Sequence, residues 1–249
     1  MADVAFNTVV KLLLDVGSAC ESYQDEALRG LKSKRVQCDE IWSFVYAKAK
    51  NVPEEHKGEL GYGGVWTWTA LDSETKLLIT WAVGRRDGFT ASAFIRDLAD
   101  RLATRVQLTT DGHKVYLEAV EGAFGNAIDY AMLVKMYEGD SGKNAPAERR
   151  YSPAVCTGSR EQTSNPDPEY ISTSFVERHN LTMRMSMRRF TRLTNAFSKK
   201  LENHKAAVAF YSMSYNFARI HQSLRVTPAM EAGVTDHVWT AAEIAALAN

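Results

Sequence analysis

The stretch Val36-Gln37-Cys38-Asp39-Glu40-Ile41-Trp42-Ser43-Phe44-Val45 sets two adjacent carboxylates inside a run of apolar, β-branched and aromatic residues. A charge is costly where strands pack, so a chain that carries one there must give it a partner or a use. Strict alternation puts Gln37, Asp39, Ile41 and Ser43 on one face of the strand and Cys38, Glu40, Trp42 and Phe44 on the other. On that spacing Asp39 and Glu40 do not enter one site unless the strand is distorted. Two later acids stand out in the same way. Val106 to Thr110 reads as a strand that ends on Asp111 before Gly112, and Glu177 stands near the start of a helix that begins at Ser174. Carboxylates delivered from two strands and a helix suit Mg²⁺ or Mn²⁺, hard cations that take oxygen ligands and keep positions open for water and phosphate. The reading is a two-metal site for phosphodiester chemistry.

The rest of the chain supplies the frame. Residues 6–31 read as a helix with Val9, Val10, Leu12, Leu13, Val16 and Leu28 on one stripe, interrupted or ended by Gly17 and Gly30. Asn7 to Leu13 resembles the second half of a helix-turn-helix, with a core-packing helix as the alternative. Residues 35–46, Tyr62 to Leu71 and Leu77 to Val83 read as three strands of an antiparallel meander, with a turn at Asp72 to Lys76. Thr90 to Thr104 has helical spacing with Thr90 as N-cap, which makes the following strand a parallel crossover. Lys114 to Gly122 reads as a short helix and Ile128 to Tyr137 as a fifth strand. The glycines and prolines of 138–172 mark a long irregular insertion, and helices follow at Ser174 to Thr191, Ser198 to Ile220 and Thr235 to Ala248. The expectation is α/β, a ribonuclease-H-like mixed five-stranded sheet flanked by helices, with C-terminal helices. In that topology the first and fourth strands are parallel neighbours, which would bring Asp39 beside Asp111. The division expected is an N-terminal helical segment over 1–34, the catalytic domain over 35–195, and a helical extension over 196–249.

Formal net charge is zero, but charge is segregated: from Val176 to Lys205 eight basic residues face two acids. That is either a solvated helix face or a surface for phosphate. Cys20, Cys38 and Cys156 are odd in number and show no paired spacing, which argues against a disulfide framework or structural zinc and for a reducing, cytoplasmic setting. No apolar run approaches the length of a membrane span, so no membrane partner is expected. Trp42, Trp66, Trp68 and Trp81 fall at strand spacing and read as core.

Cys38-Asp39-Glu40-Ile41-Trp42, Thr110-Asp111-Gly112-His113 and Glu177-Arg178-His179-Asn180-Leu181-Thr182-Met183-Arg184 together resemble the DDE transposases of the insertion-sequence-one type. Tyr215 to Arg225, followed by Thr227-Pro228, is similar to a C-terminal motif of many bacterial transposases. The resemblance implies a prokaryotic-type enzyme with two Mg²⁺ or Mn²⁺ ions. It implies hydrolysis of double-stranded DNA at element ends, then transfer by the freed 3′-OH, carried out by a homodimer or higher oligomer. Asp39, Asp111 and Glu177 take the places of the three acidic ligands, and Arg184 that of a basic residue on DNA. The interval between Asp111 and Glu177 is long for the family, by the insertion at 138–172. The zinc-binding and helix-turn-helix region that usually precedes the catalytic domain is reduced here to a remnant.

Two readings stay open at Glu177. It is a ligand, or it completes a capping box with Ser174 by bonding back to that residue's backbone. Glu177, Arg184 and Arg188 fall on nearly one helical face with His179 and Asn180 close by, so Arg178, His179, Asn180, Arg184 and Arg188, with Lys114 near the second acid, are the expected DNA contacts. His113 is a DNA contact or a surface turn residue, and Arg219 and His221 pack on the sheet or touch DNA. A nuclease without strand transfer and a non-catalytic DNA-binding derivative are the alternative functions.

Overall fold

The computed structural model describes residues 4–134, 160–191 and 195–248. The five expected strands are present: β1 (Arg35–Val45), β2 (Gly63–Asp72), β3 (Leu78–Gly84), β4 (Gln107–Asp111) and β5 (Asp129–Leu133). They join a sixth, β6 (Arg160–Thr163), in one mixed sheet of order β3-β2-β1-β4-β5-β6. β6 lies inside the stretch expected to be irregular; residues 138–159 of that stretch, and 135–137 of the expected fifth strand, fall outside the described residues. β1, β2 and β3 run antiparallel, β1, β4 and β5 run parallel, and β6 is antiparallel to β5. Parallel neighbours need a crossover. Helix α1 (Phe6–Ala27) precedes the sheet, α2 (Gly88–Arg101) makes the crossover from β3 to β4, and α3 (Val115–Phe124) makes that from β4 to β5.

Alternation along β1 sorts the two faces as the sequence predicts. Cys38 packs with Trp68, Phe94, Leu98, Tyr116 and Tyr130 under α2 and α3, while Ile41 packs on the other face with Val65, Leu78, Val176, Met183 and Val208. That second face is covered by α4 (Ser174–Ser186) and α5 (Leu201–Met213), the latter continuing as a π-helical turn over Ser214–Ala218. Of the four tryptophans expected in the core, Trp68 is fully buried, while Trp42, Trp66 and Trp81 are half-buried, Trp66 and Trp81 packing against the core. The chain closes with two short helices, α6 (Pro228–Glu231) and α7 (Ala241–Ala246).

Several boundaries differ from expectation for identifiable reasons. Asp87, not Thr90, caps α2: its carboxylate accepts from the Thr90 N–H at 2.9 Å and the Thr90 hydroxyl at 2.8 Å. The helix expected over Ser174 to Thr191 stops at Ser186, and Arg188–Phe190 form a separate 3₁₀ turn after Met187 turns extended. Gly17 does not interrupt α1. A Cβ there would lie 2.6 Å from that of Ala206, so the glycine lets α1 and α5 approach closely. The two ends of the chain thus share the core with the sheet: Val16 and Cys20 of α1 belong to the same cluster as Met213 and Phe217. Cys20 and Cys38 are buried free thiols.

Candidate metal centre

The last β1/β4 pair is Cys38↔Thr110, so Asp39 and Asp111 are each the next residue along adjacent parallel strands. Beyond that pair β4 ends while β1 continues to Val45, which leaves an open edge between them. Asp39 and Asp111 line a cleft of about 500 Å³ there, together with Arg86, Gly112, His113, Leu133, Val134 and Glu177. The three carboxylates singled out in the sequence therefore line one cleft, with Glu177 outside the group of oxygens that lie within 4.8 Å of one another.

Each is positioned differently. The Asp39 Oδ2 accepts from Asn180 Nδ2 at 2.9 Å, and the Thr69 hydroxyl lies 3.1 Å from both the Asn180 Oδ1 and the Asp39 carbonyl. Asp111 bends back on its own turn, accepting the His113 N–H at 3.1 Å. Glu177 comes from the first turn of α4, whose start is tied to β1: Gln37 Oε1 accepts the N–H groups of Phe175 and Val176 at 2.9 and 3.1 Å. Those are two of the helix's orphan donors. Gln37 does by long range what a local cap would do, and the Ser174 capping box is not formed. Thr173 is the N-cap residue, the Ser174 N–H goes to the Ser172 hydroxyl, and Glu177 accepts from the Thr173 hydroxyl at 2.7 Å.

Glu40 also reaches the site, contrary to expectation. One carboxylate oxygen from each of Asp39, Glu40 and Asp111 lies within 4.8 Å of the others. The β1/β2 register runs unbroken from Val36 to Val45, so no distortion is involved. Adjacent side chains leave on opposite faces, so Glu40 approaches from the side of Tyr116 and α3 and does not itself line the cleft. Arg86 bridges the group, 3.0 Å from Glu40 Oε2 and 3.4 Å from Asp111 Oδ2. Neither residue was singled out in the sequence as part of the site. The adjacency of Glu40 to Asp39 was the one visible signal, and Arg86 lies in a polar connection with none.

Burial, and then neighbouring negative charge, raises two of the acids. Burial first, then the charge of Asp111, pushes Asp39 up to about 6, against the pull of Asn180. The same two causes push Glu40 up to about 7, opposed by Tyr116 and Arg86. Carboxylates held together in this way are stabilised by a cation, and oxygen donors alone suit Mg²⁺ or Mn²⁺ rather than a softer metal. A divalent ion therefore fits the residues present.

The chain matches no family model and no curated protein sequence.

The expected DNA contacts divide. Arg178, Arg184, Arg188 and Lys114 are exposed. His179 and Asn180 are not: both are buried, His179 against Tyr211 and Tyr215, with its imidazole pushed down to about 3 by burial, and Asn180 on Asp39. Val176, His179, Asn180 and Met183 form the inward stripe of α4 at helical spacing, so neither side chain faces solvent. Glu177 and Arg184, two turns apart, share the exposed side of α4, whereas Arg188 has left the helix. His113 stacks on Trp68 at 6.1 Å and is held below its ordinary pKa by burial and then by Arg86. No helix among the described residues is long and apolar enough to cross a membrane.

Proposed function

We propose that this chain is a metal-dependent phosphodiester-processing enzyme of the DDE transposase type, with a ribonuclease-H-like catalytic domain acting on double-stranded DNA. The observation that carries the reading is the meeting of Asp39, Asp111 and Glu177 in one cleft at the open edge of the parallel β1/β4 pair. The order β3-β2-β1-β4-β5, with an antiparallel meander leading into parallel strands, supports it, because it sets the first and fourth strands side by side and parallel as a ribonuclease-H-like fold requires.

Asp39, Asp111 and Glu177 hold the cations. Ions held there would supply activation of the attacking oxygen and neutralisation of charge on the leaving 3′-oxygen. Asn180 fixes the rotation of Asp39, and Gln37 fixes where α4 delivers Glu177. Arg178 and Arg184 on the exposed side of α4, with Lys114 beside the cleft, bind backbone phosphates and orient the duplex. Arg188 contributes from the turn that follows. In keeping with the resemblance, the enzyme works as a homodimer or higher assembly on paired DNA ends.

The test is incubation of supercoiled plasmid with protein and Mn²⁺, followed by gel analysis. Wild type should nick and join DNA only with metal. Glu177→Gln should lose that activity while its melting temperature is kept, because glutamine still accepts from the Thr173 hydroxyl. Nicked product without joined product would favour a nuclease over a transposase. Unchanged activity in Glu177→Gln would overturn the assignment of the site.

A further inference from the structure

Glu40 is the most buried of the acids at the cleft: its side chain is 1% exposed. Its Oε1 is buried and makes no hydrogen bond, while Oε2 takes the Arg86 guanidinium. The Tyr116 hydroxyl is near enough to pull the Glu40 pKa down, yet it too is buried outside hydrogen-bond geometry. An unpaired carboxylate oxygen inside a protein is expensive unless something binds it. It lies in the group of oxygens, from Asp39, Glu40 and Asp111, that sit within 4.8 Å of one another. Arg86 is the cation that touches this group, and it comes from outside. Its side chain is 37% exposed, it rests over the Trp66 ring at 4.8 Å, and it belongs to the short connection between β3 and α2.

We propose that Glu40 is a fourth carboxylate of the cation site and that Arg86 is the counter-ion a divalent cation displaces from it. The inference rests on the reading of Asp39 and Asp111 as metal ligands. A guanidinium and a metal ion compete here for the same lone pairs: Arg86 occupies Glu40 Oε2 and Asp111 Oδ2, leaving Glu40 Oε1 without a hydrogen bond. Arginine keeps its charge at any ordinary pH, so it neutralises the acids whenever metal is absent. A divalent ion carries twice that charge and binds oxygen at shorter range, so it takes the carboxylates and frees Arg86. The exposed guanidinium then stands at the mouth of the cleft, where a phosphodiester would arrive, and its planar fork suits phosphate. A purely structural Glu40–Arg86 pair makes a different prediction. It would destabilise the fold when broken and leave metal affinity alone.

Mn²⁺ binding to the metal-free protein, followed by electron paramagnetic resonance of the free ion, separates the two. Arg86→Gln should bind Mn²⁺ at least about threefold more tightly than wild type, since the competing cation is gone, and Glu40→Gln about tenfold more weakly, the effect of losing a supporting ligand. Glu40→Asp keeps the charge but shortens the reach, and should also bind more weakly. It carries the test with Arg86→Gln should Glu40→Gln not fold. If Asp39→Asn loses Mn²⁺ while the Glu40 and Arg86 variants bind as wild type does, Glu40 and Arg86 form a structural pair only and the reading of the three acids stands. If wild type binds no Mn²⁺, both fall together.

Discussion

Replacing Asp39 by Asn should make the metal-free protein more stable at pH 8 while removing its response to metal. Asp39 titrates at about 6 instead of 3.8 because burial and neighbouring carboxylates disfavour its charge. Its folded-state pKa is above its unfolded one, so the folded chain holds more protons between those values. Stability therefore falls as pH rises through that window. The full loss, above both values, is about 3 kcal/mol at about 1.4 kcal/mol per pH unit. Asparagine keeps the shape, and its oxygen can still accept the Asn180 N–H, so the substitution removes charge and little else. Part of the repulsion belongs to Asp111 and relaxes in wild type, which puts the expected gain at about 1–3 kcal/mol, or roughly 2–10 °C in Tm for a chain of this size. The assay is thermal melting of both proteins in chelator from pH 4 to 8, repeated with Mn²⁺. The gain should shrink to nothing toward pH 4, and Mn²⁺ should raise the wild-type Tm above pH 6 and leave the variant unmoved. An Asp39→Asn variant less stable than wild type at pH 8 without metal, or a gain equal at both ends of the range, would refute the argument.

Three further substitutions probe other parts of the structure. Asn180→Ala removes the hydrogen bond that holds Asp39 and should weaken Mn²⁺ binding about 10–100-fold, with about 1–3 kcal/mol lost in denaturant unfolding from the buried oxygen left unpaired. Arg184→Gln should lower DNA affinity and reduce by about one the slope of log affinity against log salt; an unchanged slope in filter binding would remove it from the interface. Gly17→Ala should cost about 1–3 kcal/mol by melting, because its Cβ would collide with Ala206 and α1 and α5 must separate.

Much of the site was legible because it is written in periodicity. The alternation around Asp39 put it on one face with Gln37, Ile41 and Ser43, which is the face α4 covers, and the order of elements, by making β1 and β4 neighbours, put Asp111 beside it. The inward position of His179 and Asn180 was legible too. Val176 and Met183, seven residues apart, mark the buried stripe, and both polar residues fall between them on it. Proximity to Glu177 in sequence suggested a shared role, but a helix turns about 100° per residue, so neighbours face different ways. Glu40 needed knowledge that β4 stops one residue past its last partner, which no local pattern carries. β6 has the polar sequence Arg160-Glu161-Gln162-Thr163, which shows no alternation, and the end of α4 at Ser186 has neither glycine nor proline to announce it.

The clasp of Gln37 on the start of α4 bears on how the chain tolerates change. Before reaching α4, the backbone is pinned at Asn165 to Asp129 on β5 and at Asp167 to Gln107 on β4, and then by Phe175 and Val176 to Gln37 on β1. The third carboxylate is thus referenced to the strands that carry the other two, not to the chain that leads up to it. A change of chain length between β5 and β6 therefore should leave the distance from Asp39 to Glu177 as it is. The spacing on which any chemistry depends is kept by one buried amide.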